Sequence, residues 1–160
     1  SMHHREPHLL GAALDDDNVS VEIIADGIHV SPEMIRLALK CKGPMKTVLI
    51  TDSIMAAGHM DGVYTLGGTT VYVNNKEARI EDGSLAGSTL TMIDAVKNMV
   101  KFKVSLEDAL TMASIAPADV IGISHRKGRL EKGMDADIVI LNRDLNVIMT
   151  MVEGSVEYMG

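Results

Sequence analysis

Thr47-Val48-Leu49-Ile50-Thr51-Asp52-Ser53 is an apolar run closed abruptly by a carboxylate and followed by the small residues Ala56-Ala57-Gly58. Its leading residues favour strands, and the apolar positions do not alternate, so both faces are expected to be buried in a parallel sheet. In parallel α/β architectures ligands bind outside the carboxyl ends of the strands, where Asp52 would stand. Alone, the stretch equally supports a plainer role, because Asp is a common turn-opening residue.

The residues upstream bear on that choice. Val21-Glu22-Ile23-Ile24-Ala25 reads as a strand running into Asp26-Gly27-Ile28-His29-Val30. Ser31-Pro32-Glu33 then starts a helix with a capping hydroxyl, a proline at the first helical position and an acid favoured by the helix dipole. Met34, Ile35, Ala38 and Leu39 fall on one side of it, and Gly43-Pro44 stops it before the Thr47–Thr51 strand. Strand, helix and strand within about thirty residues make the crossover that parallel strands require. His29 and Asp52 then share one edge of the sheet, which raises both from isolated polar residues to a candidate site.

Downstream the pattern changes. Val63–Leu66 and Thr69–Val73 flank Gly67-Gly68 as a tight hairpin, and Asn74-Asn75 turns the chain into Glu77–Ile80. Leu85-Ala86-Gly87-Ser88 is a small-residue loop leading to a helix over about Thr89–Phe102, with Leu90, Ile93, Val96 and Val100 at helical spacing. Ser105 caps a further helix with Leu106, Ala109, Leu110 and Ala113 inward, and Pro117 restarts a short helical turn that Gly122 ends. The tail is β again, over 137–142, 147–152 and 156–159. Residues 1–20 read as polar and irregular around the apolar patch Leu9–Leu14.

The 160 residues are 46% hydrophobic but only 2% aromatic, with no Trp and 12 Met, so packing must rest on aliphatic and thioether side chains. The net charge of −7 and the lack of a basic, aromatic-interleaved stripe argue against nucleic acid as a partner. Cys41 is the single cysteine and sits near a helix end, where packing is expected. No leader is evident and no apolar run is long enough to cross a bilayer, so no membrane association and a cytoplasmic location are expected.

Taken together, His4-Arg5-Glu6-Pro7, Leu10–Leu14, Ala25–Val30, Leu49–Ser53 and Leu85–Met92 resemble, in order, the C-terminal part of the N-acetylglucosamine-6-phosphate deacetylases, within the amidohydrolase superfamily. Lys127–Val139 fits as well, as a block shared across amidohydrolases. The resemblance implies an α/β fold, the C-terminal portion of a (β/α)8 TIM-like barrel, with its last two strands and closing helices plus strands of a small β-sandwich. Residues 1–123 would be the partial barrel, with a β-hairpin insertion at about 60–82, and 124–160 the share of the sandwich. A complete barrel takes roughly 250 residues.

The implied activity is metal-dependent removal of acetate from N-acetylglucosamine 6-phosphate. A divalent ion such as Zn, Fe or Mn lowers the pKa of a bound water towards neutrality, and a carboxylate can then relay the proton to the leaving nitrogen. By resemblance Asp52 is that acid–base residue. Arg5 is the phosphate-binding arginine, suited by its bidentate fork and reaching a neighbouring subunit in a homodimer. His29 is a substrate contact that helps hold the phosphate, and Leu85, Ala86 and Gly87 form a sugar-contacting loop. The family's Glu and two His metal ligands are not in this chain, so no metal is expected to be held by it alone, and alone it is expected to be inactive.

Each residue also has a plainer reading. Arg5 could pair with Glu6 on the surface, His29 could donate to a backbone carbonyl, and residues 85–87 could simply lead into a helix. Asp26 is expected to fix its own loop. Adjacent His3 and His4 do not share a face and are no metal pair, and His59 and His125 read as surface residues. His8 departs from the family, which usually has Gly after Pro7, and Ile54–Gly58 matches loosely. Two alternatives stay open: another amidohydrolase, such as a cyclic-amide hydrolase, or a non-catalytic sugar-phosphate-binding or assembly fragment covering its open edges by self-association.

Overall fold

A computed structural model describes residues 2–160. Strand β1 (Val21–Ile24), helix α2 (Pro32–Lys42) and strand β2 (Thr47–Ile50) form the expected unit, with β1 and β2 parallel and Val21 to Ile24 in register with Thr47 to Ile50. Ser31 Oγ accepts from the Met34 N–H, Pro32 opens α2, and Gly43 at φ +68° ends it. Thr47, Val48 and Leu49 are buried, as a strand covered on both faces requires.

Against this unit lie helix α3 (Met92–Lys101) and the stretch α4 (Leu106–Leu110), a π turn (Thr111–Ile115) and α5 (Ala116–Val120). Their shared core contains Ile23, Ile35, Leu49, Val96, Met99 and Met112. Burying each such side chain is worth about 1.5–3 kcal/mol, and the two methionines fill space that aromatics would otherwise take.

A second layer forms from the antiparallel order β3 (Gly62–Leu66), β4 (Thr69–Asn74) and β5 (Glu77–Arg79). Its core of Val71, Val73 and Ala78 is completed by Ile54 and Ala56, from the loop just past Asp52. The β3–β5 sheet is therefore anchored to the loop that carries the candidate carboxylate. The C-terminal strands β6 (Ile138–Leu141), β7 (Val147–Val152) and β8 (Ser155–Met159) form a separate antiparallel sheet with no buried residue.

Several sequence expectations change. Residues 8–15 are helical (α1, His8–Asp15), not irregular, although none of α1 is buried. Val100, Leu106 and Leu110, expected inward, are exposed; Leu90, Val96 and Ala109 are buried as expected, and Ala95, Met99 and Met112 are buried with them. Past Leu110 the π turn, with its wider i→i+5 bonding, shifts the inward face, and there Met112 is the buried residue. Pro117 does not restart a helix, because α5 continues directly from the π turn. The helix expected from Thr89 begins at Met92, with Thr91 Oγ1 accepting from the Asp94 N–H at 3.2 Å. Cys41 is exposed rather than packed.

Candidate functional site

Asp52 lies two residues beyond β2, at the carboxyl end of the parallel pair, with an exposed side chain. Its φ of +48° is in the left-handed region, unusual for a residue other than Gly. Residues in such conformations persist only where their surroundings over-determine them, and they gather at functional sites.

Those surroundings are the 85–90 segment. The Ser88 N–H donates to Asp52 O at 2.8 Å, and the Ile54 N–H donates to Ser88 O at 2.9 Å, extending the parallel sheet by one bridge. Ser88 Oγ donates to Thr51 O, and Ser53 Oγ donates to Leu90 O. Gly87, at φ +65°, passes so close that a Cβ there would stand 2.6 Å from Ile54 Cγ2 and 3.0 Å from Asp52 O. The other side of the segment is fixed by the Ala86 N–H donating to Ala78 O at 3.0 Å. Thus the structure brings Gly87 directly against Asp52, with Ala86 and Leu85 held between that strand end and β5.

His29 is placed differently from its expected position at a strand end. The parallel pairing ends at Ile24 and Ile50, and His29 lies five residues past β1, in the loop that follows it. Asp26 Oδ1 accepts from the Ile28 N–H at 2.8 Å and the His29 N–H at 2.9 Å, while Asp26 Oδ2 lies 2.6 Å from His29 Nδ1. A carboxylate only accepts, so Nδ1 carries the proton and Nε2 is left free of this pair. The backbone-carbonyl reading of His29 is therefore replaced by a carboxylate–histidine pair. Asp26 does fix its own loop, and it also orients the histidine, a part visible beforehand only as the spacing Asp-x-x-His.

Arg5 is exposed, and among the described residues no carboxylate lies within ion-pair distance of its guanidinium, Glu6 included. Its backbone N–H donates to His3 Nδ1 at 3.3 Å. No hydrogen bond joins Arg5 to Asp52 or His29 among the described residues. His8, next to this segment, has φ +54°, the backbone region in which glycine is at ease.

A cleft of about 280 Å³ opens beside the site, lined by Asp26, Ile28, Lys76, Thr89, Asp94 and Asn98 among others. A shallower one of about 530 Å³ runs along the β3–β5 sheet, lined in part by Thr69, Tyr72 and Asp82. Asp52 lines neither of these two clefts. Among the described residues no three His, Cys, Asp or Glu side chains converge as a metal-ligand cluster. No helix of the described residues is long and apolar enough to cross a membrane.

Comparison with known proteins accounts for the ordered motifs around this edge. The family model described as the amidohydrolase family matches residues 2–156. The chain belongs to the amidohydrolase family. Among curated relatives, the N-acetylglucosamine-6-phosphate deacetylase of Bacillus subtilis (strain 168) is 43% identical over 157 residues, covering 98% of this chain and 40% of the relative. The N-acetylgalactosamine-6-phosphate deacetylase of Escherichia coli O157:H7 is 42% identical, covering 96% of this chain and 41% of the relative. The crystal structure of N-acetylglucosamine-6-phosphate deacetylase from Thermotoga maritima superposes with a TM-score of 0.93 at 44% identity, over 99% of this chain and 44% of that one. This amidohydrolase chain spans about two-fifths of the length of these relatives.

Proposed function

We propose that this amidohydrolase chain is the C-terminal portion of a metal-dependent deacetylase acting on N-acetylglucosamine 6-phosphate and releasing glucosamine 6-phosphate and acetate. The observation that carries the reading is the left-handed Asp52 at the carboxyl end of a parallel strand, with the Gly87 loop pinned against it. The names of relatives matched along nearly the whole chain support the substrate class. In this reading residues 1–123 are part of a (β/α)8 barrel, with the insertion at about 60–82, and residues 124–160 belong to a small β-sandwich.

Among the described residues no three His, Cys, Asp or Glu side chains converge at the sheet edge, short of the three protein ligands that a catalytic divalent site uses. The metal's ligands are therefore assigned to the part of the protein outside this chain, whose own residues contribute proton transfer and substrate contacts. Asp52 has the freedom a proton carrier needs: its side chain is exposed and no ion pair engages it among the described residues. It takes the proton of the attacking water and delivers it to the amide nitrogen as the C–N bond breaks, a relay worth about 10²–10⁴-fold in rate. His29 and Arg5 supply polar and cationic contacts to the phosphate. Arg5, unpaired on its own chain among the described residues, does so across a homodimer interface. Leu85, Ala86 and Gly87 meet the sugar through a close-lying backbone. A phosphorylated sugar is charged and retained inside cells, which suits a cytoplasmic enzyme.

The relatives' names divide between two sugars that differ only in the orientation of one hydroxyl. The decisive experiment joins the N-terminal portion of the Bacillus subtilis relative to this chain and measures acetate release from both N-acetylhexosamine 6-phosphates. Release from the gluco substrate, abolished by Asp52→Asn, is expected. Full activity of Asp52→Asn would refute the assignment, and preference for the galacto substrate would reassign the sugar.

A further inference from the structure

We propose that Ser88 is the positioning residue for Asp52, holding the left-handed backbone from which that carboxylate projects. Ser88 is 3% exposed, and its groups grip the chain on both sides of Asp52. Its N–H donates to Asp52 O at 2.8 Å, its carbonyl accepts from the Ile54 N–H at 2.9 Å, and its hydroxyl donates to Thr51 O. The same hydroxyl accepts from the Leu90 N–H at 3.0 Å, which occupies a lone pair and turns its proton towards Thr51. The bonds thus bracket the peptide that sets φ at Asp52.

The bracket opposes a real conformational preference. A left-handed backbone costs a residue with a Cβ relative to the ordinary regions, less for Asp than for most, and the bonds from Ser88 offset that cost for Asp52 at φ +48°. The Thr51 and Asp52 carbonyls are both fixed from the 88 side, and Gly87 lacks the Cβ that would keep that segment away. Removing the Ser88 hydroxyl frees the Thr51 carbonyl to turn towards water. The 51–52 peptide then rotates and carries the Asp52 carboxylate with it. The catalytic consequence rests on the reading of Asp52 as proton carrier, whereas the conformational consequence does not.

Nuclear magnetic resonance on this chain tests the conformational half. The amide-to-Hα coupling and carbon shifts of Asp52 report its φ, and exchange of the Ile54 amide reports the bracket. In Ser88→Ala the left-handed signature is expected to disappear and Ile54 exchange to rise about 5- to 10-fold, the loss of one hydrogen bond. Ser88→Thr, which keeps a hydroxyl, is expected to restore both. Should the alanine variant fail to fold, Ser88→Cys keeps the shape with a weaker donor and is expected to give the same changes. An unchanged Asp52 signature in the folded Ala or Cys variant overturns the proposal.

In the assembled enzyme Ser88→Ala is expected to lower kcat about 10- to 100-fold with KM little changed, as for a misaimed catalytic group. Wild-type kcat in Ser88→Ala beside an inactive Asp52→Asn overturns the positioning role. An active Asp52→Asn instead defeats the proton-carrier reading and leaves the resonance result to decide on Ser88.

Discussion

Gly87→Ala is expected to unfold the site's supporting loop at a cost of about 2–5 kcal/mol, from two separable sources. The first is conformational: at φ +65° an alanine incurs about 1–2 kcal/mol that glycine does not. The second is steric. The new Cβ would stand 2.6 Å from Ile54 Cγ2 and 3.0 Å from Asp52 O. Ile54 is buried in the core beneath the β3–β5 sheet and, being β-branched, is stiff at χ1. Asp52 O is backbone and is held by the Ser88 N–H. Neither neighbour yields freely, and overpacking of this kind costs about 1–3 kcal/mol. Gly83→Ala supplies the control, since Gly83 has φ +85° with nothing within 4 Å of its virtual Cβ, and so carries only the conformational share. Urea unfolding of both variants, followed by circular dichroism, gives the steric share by difference. Equal destabilisation of the two would refute the claim that Gly87 is required for close approach to Asp52.

His8→Gly is expected to raise stability by up to about 1 kcal/mol, because relief of the φ +54° backbone exceeds the extra chain entropy of glycine; a lower thermal midpoint would contradict this. Asp26→Ala leaves two loop N–H groups and the His29 ring without their acceptor, so a loss of about 1–3 kcal/mol is expected in chemical denaturation, with His29 ring resonances broadened or averaged. The Arg126 guanidinium, then the Lys127 ammonium, hold the Asp135 carboxyl below its usual pKa, and Lys127, then the Glu153 N–H, do the same for Asp137. Because the folded values are the lower ones, this support is complete above about pH 4 and lost as pH falls through them. Thermal midpoints from pH 7 to pH 2 are therefore expected to fall less steeply in Lys127→Met than in wild type, and parallel curves would refute the linkage.

Local signals made the central unit readable in advance. A capping serine, Pro32 and the Gly43-Pro44 stop delimit α2, and an unbroken apolar run marks β2 as a doubly covered strand. The glycine pair and the asparagine turn likewise mark the β3–β5 meander, because positive φ is a property of single residues. The carboxylate at the strand end and the small-residue loop were legible as separate motifs, as were the ordered blocks that resemble the deacetylases.

Other features depended on what the chain meets in space. Helical spacing placed Leu106, Ala109 and Leu110 inward; Ala109 is buried, but Leu106 and Leu110 are exposed, and Met112 from the π turn is in the core. The Leu9–Leu14 patch is helical without burying a residue, so no periodic inward face marks it. Nothing in the order of residues announced that Ser88, 36 positions after Asp52, would bond to its carbonyl, or that Asp26 would hold the His29 ring. Sequence determined which segments form elements and which residue types stand at their ends, since those follow from short-range sterics and hydrogen bonding. Tertiary structure alone decided which ends meet and what backbone Asp52 must adopt, because both are set by contacts between residues far apart along the chain.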